Sequence, residues 1–250
     1  MRVTAPEMKV ARKGGLIELT FPKGLQAKAK DYTVKAAHGV VLLKSVGSAD
    51  LPEVPKGNDG GKVPKLPDAS LSLQNIKELT FTGGAVWDSK EYHAEASSVS
   101  SADGGKTWKL GGGVKFSRKD SPQSASGKGF TFSLANSTLS TSTPIELFGF
   151  AVGQEHASFS SKNTVINLKA RTAALTGAAK FEFAGYNLVS AKMNIDLKTQ
   201  QLVADGSPKL ISGDSIIEAK KVTITFIEGK AVLDAVDLKG RLAEPKARQT

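Results

Sequence analysis

Residues able to carry chemistry are few in this sequence, and they are scattered. The histidines are His38, His93 and His156; His93 stands near Glu91 and Glu95, and His156 follows Glu155. An imidazole beside a carboxylate is the raw material of a general base or a metal site. Zinc, however, wants about three or four convergent ligands at tight spacing. Two histidines on separate segments with flanking glutamates do not supply that, so no metal is expected and the rings read as solvent-facing strand positions. Cysteine is absent, which removes disulfide scaffolds, thiolate metal sites, iron–sulfur clusters and cysteine nucleophiles. No Gly-x-Ser-x-Gly elbow occurs, and no glycine-rich phosphate loop precedes a helix. Gly111-Gly112-Gly113 lies between strands, where glycine relieves a bulge or turn. A glycosidase needs only two carboxylates that meet in space, and the 24 acidic residues leave that open, but no acid pair recurs. The expectation is a protein with no catalytic residues and no cofactor, not an enzyme.

What does recur is an apolar face. Phe116, Phe130, Phe132, Phe148, Phe150, Phe159, Phe181, Phe183, Ile195, Leu197, Val222, Ile224 and Phe226 stand among small and polar residues. One reading is that they fill a sandwich or solenoid. The other is that the interior is open along one seam and holds an apolar chain, with Ala94, Ala96, Ala157, Ala178, Ala179 and Ala191 leaving room. Burying an acyl chain contributes about 0.8 kcal/mol per CH₂, so a lined groove would hold a lipid with several chains firmly. On that reading Phe116, Phe130, Phe132, Phe148, Phe159, Phe181, Phe183, Ile195, Leu197, Val222, Ile224 and Phe226 are the candidate lipid-binding positions.

The elements that must position this face are strands. In Lys221–Ile227, Val222, Ile224 and Phe226 alternate with Thr223 and Thr225. Phe130, Phe132 and Leu134 alternate with Thr131 and Ser133, and Met193, Ile195 and Leu197 with Asn194 and Asp196. Such alternation, rich in β-branched and aromatic residues, predicts half-buried strands. Turn signals recur between them, among them Asp103-Gly104-Gly105, Asp205-Gly206 and Glu228-Gly229. No helix of ten or more residues is expected. The stretch Ser117 to Gly129 reads as a long exposed turn.

The chain also repeats itself. Tyr92–Phe116, Glu155–Phe181, Tyr186–Leu210 and Asp214–Leu238 each run from a small or apolar strand through a polar turn to a second strand. Gly24–Leu43 is a shorter cousin, and Phe130–Val152 has the size of a degenerate copy. The unit is about 20–27 residues, two strands and two turns. Pro52, Pro55, Pro64 and Pro67 interrupt the pattern and deny that stretch a paired strand. The expected organisation is a β segment with a basic end (1–44), a Pro/Gly-rich loop or linker (45–69), the repeated body (70–242) and a basic tail (243–250).

The net charge is +10, and both ends are basic: Arg2, Lys9, Arg12 and Lys13 against Glu7, and Lys239, Arg241, Lys246 and Arg248 against Glu244. Such ends are solvated tails or are drawn to phosphate. Stacking on nucleic acid needs aromatics interleaved with the basic residues. Trp87, Trp108, Tyr32, Tyr92 and Tyr186 are few and separated, so no nucleic-acid partner is expected. No apolar run is long enough for a membrane helix. The segment after Arg2, VTAPEMKVARKGG, lacks the apolar core of an export signal, which takes about 7–15 residues. The expectation is a cytoplasmic protein, or a mature form whose signal has been replaced by Met1.

Gly83–Ala96 with Val114-Lys115-Phe116, Leu175-Thr176-Gly177 with Lys180-Phe181, and above all SGDSIIEAKKVTITFIEGKAVLDAVDLKG (Ser212 to Gly240) resemble the OstA-like domain of the periplasmic lipopolysaccharide-transport (Lpt) proteins. Similar segments cover most of 70–242, and 24–43 less clearly. The resemblance implies an all-β fold of repeated antiparallel two-strand units, an open, twisted β-jellyroll or solenoid. It also implies a periplasmic location and acyl chains of lipopolysaccharide, or of a similar lipid, held in an apolar groove. Its partners would be other envelope transport proteins or further copies of itself, joined edge to edge by strand stacking. The family lends no catalytic residues. The alternative reading is a structural β-solenoid surface or appendage protein with no lipid ligand.

Overall fold

The computed structural model describes residues 1–13, 15–44, 69–120, 124–148, 157–183, 186–212, 215–227 and 230–241. These are nearly all strand; among them the only helical element is one 3-10 turn, Leu73–Asn75. The strands expected from the alternation, and the all-β, antiparallel, jellyroll-like class that the resemblance implied, are what is observed. The chain forms two compact units, Met1–Asp120 with Thr131–Ala135, and Ser121–Phe130 with Asn136–Thr250.

Unit 1 contains β1 (Arg2–Thr4), β2 (Lys9–Lys13), β3 (Leu16–Phe21), β4 (Leu25–Lys28), β5 (Tyr32–Ala36), β6 (His38–Lys44), β7 (Ala69–Ser70), β8 (Ile76–Ser89), β9 (Tyr92–Ser101) and β10 (Thr107–Arg118). Every described pairing is antiparallel. One ladder runs β7–β1–β4–β5 to the second half of β8. The other runs β2–β3–β6 to its first half. The long strands β8, β9 and β10 belong to both ladders.

Glycines bend those long strands. Thr82 pairs with Ser98 and Ala85 with Ala96, so Gly83 and Gly84 together face Ser97 alone. Both have positive φ, +80° and +83°, which glycine adopts without the Cβ penalty. Gly112 and Gly113 turn the same corner in β10. The corners stack on one another: a Cβ at Gly83 would lie 2.8 Å from that of Ala37, and one at Gly112 2.6 Å from that of Ser97. Ala37 separates β5 from β6, and Gly24, between β3 and β4, donates its N–H to the Ala37 carbonyl. Unit 1 is therefore a meander of bent strands whose bends line up along one margin. The two ladders face each other across an apolar interior. Tyr32 on β5 touches Trp108 on β10, and Leu25 on β4 lies under Gly39 on β6; neither pair belongs to neighbouring strands.

Unit 2 repeats the plan. After β11 (Ser124–Ser133) come β12 (Thr138–Thr141), β13 (Ile145–Phe148), β14 (Ala157–Ser160), β15 (Asn163–Asn167), β16 (Thr172–Phe183) and β17 (Tyr186–Asp196). They are followed by β18 (Gln201–Asp205), β19 (Lys209–Ser212), β20 (Ser215–Glu218), β21 (Lys221–Ile227), β22 (Lys230–Val236) and β23 (Lys239–Arg241). One ladder is β12–β15–β16–β17–β18–β21–β22, and the other is β11–β13–β14–β16–β17–β19–β20–β23. Gly177 and Ala178 make the corner of β16 opposite Ala191. The Lys162 N–H bonds the Gly177 carbonyl at 3.0 Å, and Ala219 N–H bonds the Pro208 carbonyl at 3.1 Å, continuing the line of corners.

Several expectations change in detail. The stretch Ser117–Gly129 is not one long turn: β10 runs through Arg118, and β11 begins at Ser124, where it pairs with Phe148. Ala125 is the one apolar residue of Ser124–Gly129, and it is buried, so this part of the strand has little hydrophobic signal. Leu197 lies outside its strand. The Asp196 carboxylate accepts the N–H groups of Lys198 and Thr199 and turns the chain at once. Residues 1–44, expected as an N-terminal segment, are bound into unit 1 through the pairing of β5 and β6 with β8. The Pro-rich 45–69 segment, apart from Ala69, lies outside the described residues, as does the basic tail.

Candidate functional site

The apolar interior of each unit is the candidate site, and it is where the alternating residues face. Phe116 on β10 and Phe132 on β11 meet in unit 1 at 5.4 Å between ring centroids. In unit 2 Phe159 on β14 packs on Phe181 of β16 at 4.9 Å. Ile195, Leu202 and Ile224 form one cross-strand row. Phe116, Phe130, Phe132, Phe159, Phe181, Ile195, Val222, Ile224 and Phe226 are all buried. Phe183 and Leu197 are half-buried. Phe148 ends β13 opposite Ser124, and Phe150 lies outside the described residues.

Opposite the line of corners, each unit has a second margin where the strands of the ladders end. Here the two ladders touch through aromatic rings. In unit 2, Phe183 at the end of β16 meets Phe226 of the facing ladder at 5.3 Å, with Phe181 stacked behind Phe183. In unit 1 the contact is Tyr32 against Trp108, edge to face at 5.1 Å. The Tyr32 hydroxyl sits over the β9–β10 turn, so close that a Cβ on Gly105 would lie 2.1 Å from it. The Asp103 carboxylate holds that turn by accepting from Ser101, Lys106 and Thr107. Burial, reinforced by Asp103 and Asp31, pushes the Tyr32 hydroxyl up to about 12.

Sequence reasoning set the tryptophans and tyrosines aside as too few and too far apart. The fold gathers Tyr32, Phe81, Trp87, Tyr92, Trp108, Phe116 and Phe132 into one cluster within unit 1. Their signal was local alternation: Ala85 with Trp87, Tyr92 with Ala94 and Ala96, Trp108 with Leu110. At the other end of the chain, Val232, Leu233 and Val236 on β22 are exposed, as are Ile227 and Leu238 beside them. Leu233 continues the inner row from Ile224, yet it is 37% exposed, because among the described residues no strand covers that side of β22.

The histidine environment is electrostatic. His93 Nδ1 lies 2.9 Å from Asp88 Oδ1, and its Nε2 lies 3.5 Å from Glu95. Lys119 Nζ also reaches Asp88, at 3.0 Å. The hydrogen bond to Asp88, helped by Glu95 and opposed by partial burial, holds the imidazole above its ordinary value. Burial raises the Asp88 carboxyl, but the bonds from His93 and Lys119 outweigh it and leave the group below its ordinary range. Asp88, His93 and Ser117 share a cross-strand row. The nitrogen a serine nucleophile would need is nevertheless turned towards Glu95. Among the described residues no group of three or more acidic or imidazole side chains is placed to hold a metal ion.

On the outer face of unit 2, a depression of about 380 Å³ is bordered by Thr138, Val165, Asn167, Asn194, Gln201 and Val203. The Asn167 side chain there accepts the Ala170 N–H and Gln201 bonds Thr225, so these groups serve the fold. Comparison with family models finds no match to the chain, and no curated protein matches its sequence.

Proposed function

We propose that this chain is a non-enzymatic lipid carrier of a two-membrane cell envelope. It holds acyl chains of lipopolysaccharide, or of a similar lipid, between its ladders and moves them across the periplasm. The observation that carries this reading is the margin of unit 2. Phe183 is half-buried there and bridges to Phe226, while the rows behind it are mainly apolar. An acyl chain enters by displacing one ring contact and then meets a mainly apolar lining, with Thr164 and Ser190 as its buried polar members on β15 and β17, gaining about 0.8 kcal/mol for each CH₂ it buries. The likeness of Ser212 to Gly240 to OstA-like domains points the same way. Strand β22, which among the described residues pairs with β21 alone and exposes Val232, Leu233 and Val236, suits edge-to-edge pairing with another copy or another envelope transport protein.

One observation favours a second reading, a structural β-solenoid without a ligand. Phe159, Leu188 and Val222 are wholly inaccessible, as in a core packed to the usual density of protein interiors. Titration with a fluorescent acyl probe and with lipopolysaccharide separates the two. A carrier binds both saturably, and Phe183→Glu weakens binding about tenfold or more while the circular dichroism melt stays cooperative. Binding no greater than that of a control globular protein decides for the structural reading.

A further inference from the structure

We infer that unit 1 carries, just inside its ring-closed margin, a recognition point for the carbonyl oxygen of an ester- or amide-linked acyl chain, formed by Tyr32, Trp87 and Trp108. This rests on the lipid-binding reading and specifies which part of the lipid is read.

The Tyr32 hydroxyl and the Nε1 groups of Trp87 and Trp108 are buried, and no atom of the described residues accepts from them. They belong to one cluster: Tyr32 stacks on Trp87 at 6.2 Å and meets Trp108 edge to face at 5.1 Å. The point where a Gly105 Cβ would stand is 2.1 Å from the Tyr32 hydroxyl and 3.3 Å from Cζ2 of Trp108. The hydroxyl and the Nε1-bearing edge of that indole therefore border the same spot. An indole N–H only donates, and the Tyr32 hydroxyl stays protonated at physiological pH. The cluster holds three donors, and the Tyr32 oxygen is the one side-chain acceptor among these three groups. A buried donor left without an acceptor is costly, so an oxygen brought in by a ligand is recognised by what it satisfies.

The surroundings select the kind of oxygen. The buried residues of the unit include no Lys or Arg, and the Asp103 carboxylate lies near enough to act on Tyr32. A buried anion would have no counter-charge there, whereas a neutral carbonyl needs none. Depth fits as well. Tyr32 opens β5 and Trp108 is the second residue of β10, so these two donors sit at the margin, with Trp87 two residues deeper on β8. Phe116 shares the cross-strand row of Trp87 and Ala94, and with Phe132 against it offers an apolar bed for the methylenes. The headgroup stays in water, the carbonyl rests at the margin and the chain runs inward.

The test uses three probes of equal chain length: 1-monodecanoylglycerol, its ether analogue 1-O-decylglycerol, and decanoate. The chain has only two tryptophans, Trp87 and Trp108, both in the cluster, so intrinsic emission reports occupancy. The ester is expected to bind about fivefold to tenfold more tightly than the ether, with decanoate at pH 8 no tighter than the ether. Tyr32→Phe keeps the ring and should erase most of the ester's advantage, and Trp108→Phe should do likewise. Without ligand, Tyr32→Phe should melt at or above the wild-type temperature, since it removes a donor that has no acceptor. Equal affinity for ester and ether, preference for decanoate, or a lower melting temperature for Tyr32→Phe overturns the inference and leaves lipid binding intact. If none of the three binds, and neither lipopolysaccharide nor the fluorescent probe does, both readings fall together.

Discussion

A methyl group at Gly105 would have to share space with the Tyr32 hydroxyl, while one at Gly84 would meet nothing within 4 Å. Both glycines have positive φ, +87° and +83°, so the pair separates backbone strain from collision. Gly84→Ala should cost about 1 kcal/mol, and Gly105→Ala clearly more, about 2 kcal/mol or above, in urea unfolding. Ala178 shows the reverse, a non-glycine residue in the left-handed region at φ 57. Ala178→Gly should raise stability by about 0.5–1 kcal/mol. The His93 cluster predicts a pH response. Its imidazole is held above the ordinary value, so its contribution is full below the unfolded pKa and is lost as pH rises through the folded one. The Asp88 carboxyl is held low, so its contribution is present above its unfolded pKa and lost as pH falls through the folded one. The pair is strongest in mildly acidic solution, and salt weakens it because both groups are about a third exposed. Asp88→Asn should lower the His93 pKa, read directly by NMR titration; an unchanged value would show that Asp88 is not the cause.

At the scale of the strand, burial should rank the margin rings. Phe226 is buried, so Phe226→Ala should cost about 3–5 kcal/mol. Phe183→Ala should cost distinctly less, because the ring already keeps part of its surface in water; equal losses in denaturant melts would mean the margin is as closed as the core. Strands of this kind were legible. Lys221–Ile227 alternates so regularly that its predicted and observed bounds coincide, and both the Gly111–Gly113 run and the Asp103-Gly104-Gly105 turn mark changes of direction. The bend itself was harder to see. A corner inside one continuous ladder has the same residues as a turn between two strands, and only the pairing of Thr82 with Ser98 and of Ala85 with Ala96 tells them apart. Ser124–Gly129 stayed hidden because its inward side consists of Ala125 and glycine.

For the whole molecule, the exposed apolar residues of β22 carry the clearest expectation. Leu233→Lys and Val236→Lys together should abolish any concentration-dependent self-association in sedimentation or light scattering without lowering the melting temperature, since neither side chain is buried. Persistent association would place the interface elsewhere. The apolar lining was readable residue by residue, because alternation states which side chains face inward. Which rings meet across the interior was not. Tyr32 and Trp108 are far apart in sequence and on strands that do not pair, so their contact follows from how the ladders fold over, which no local pattern encodes. The meander also bears on how such a chain is made. The long strands β8, β9 and β10 pair in sequence order, as do β16 and β17, while β1 reaches β7 across almost the whole of unit 1, so that unit closes only once β7 has been made. Growth can then proceed vectorially, one rung at a time, as the polypeptide leaves the ribosome.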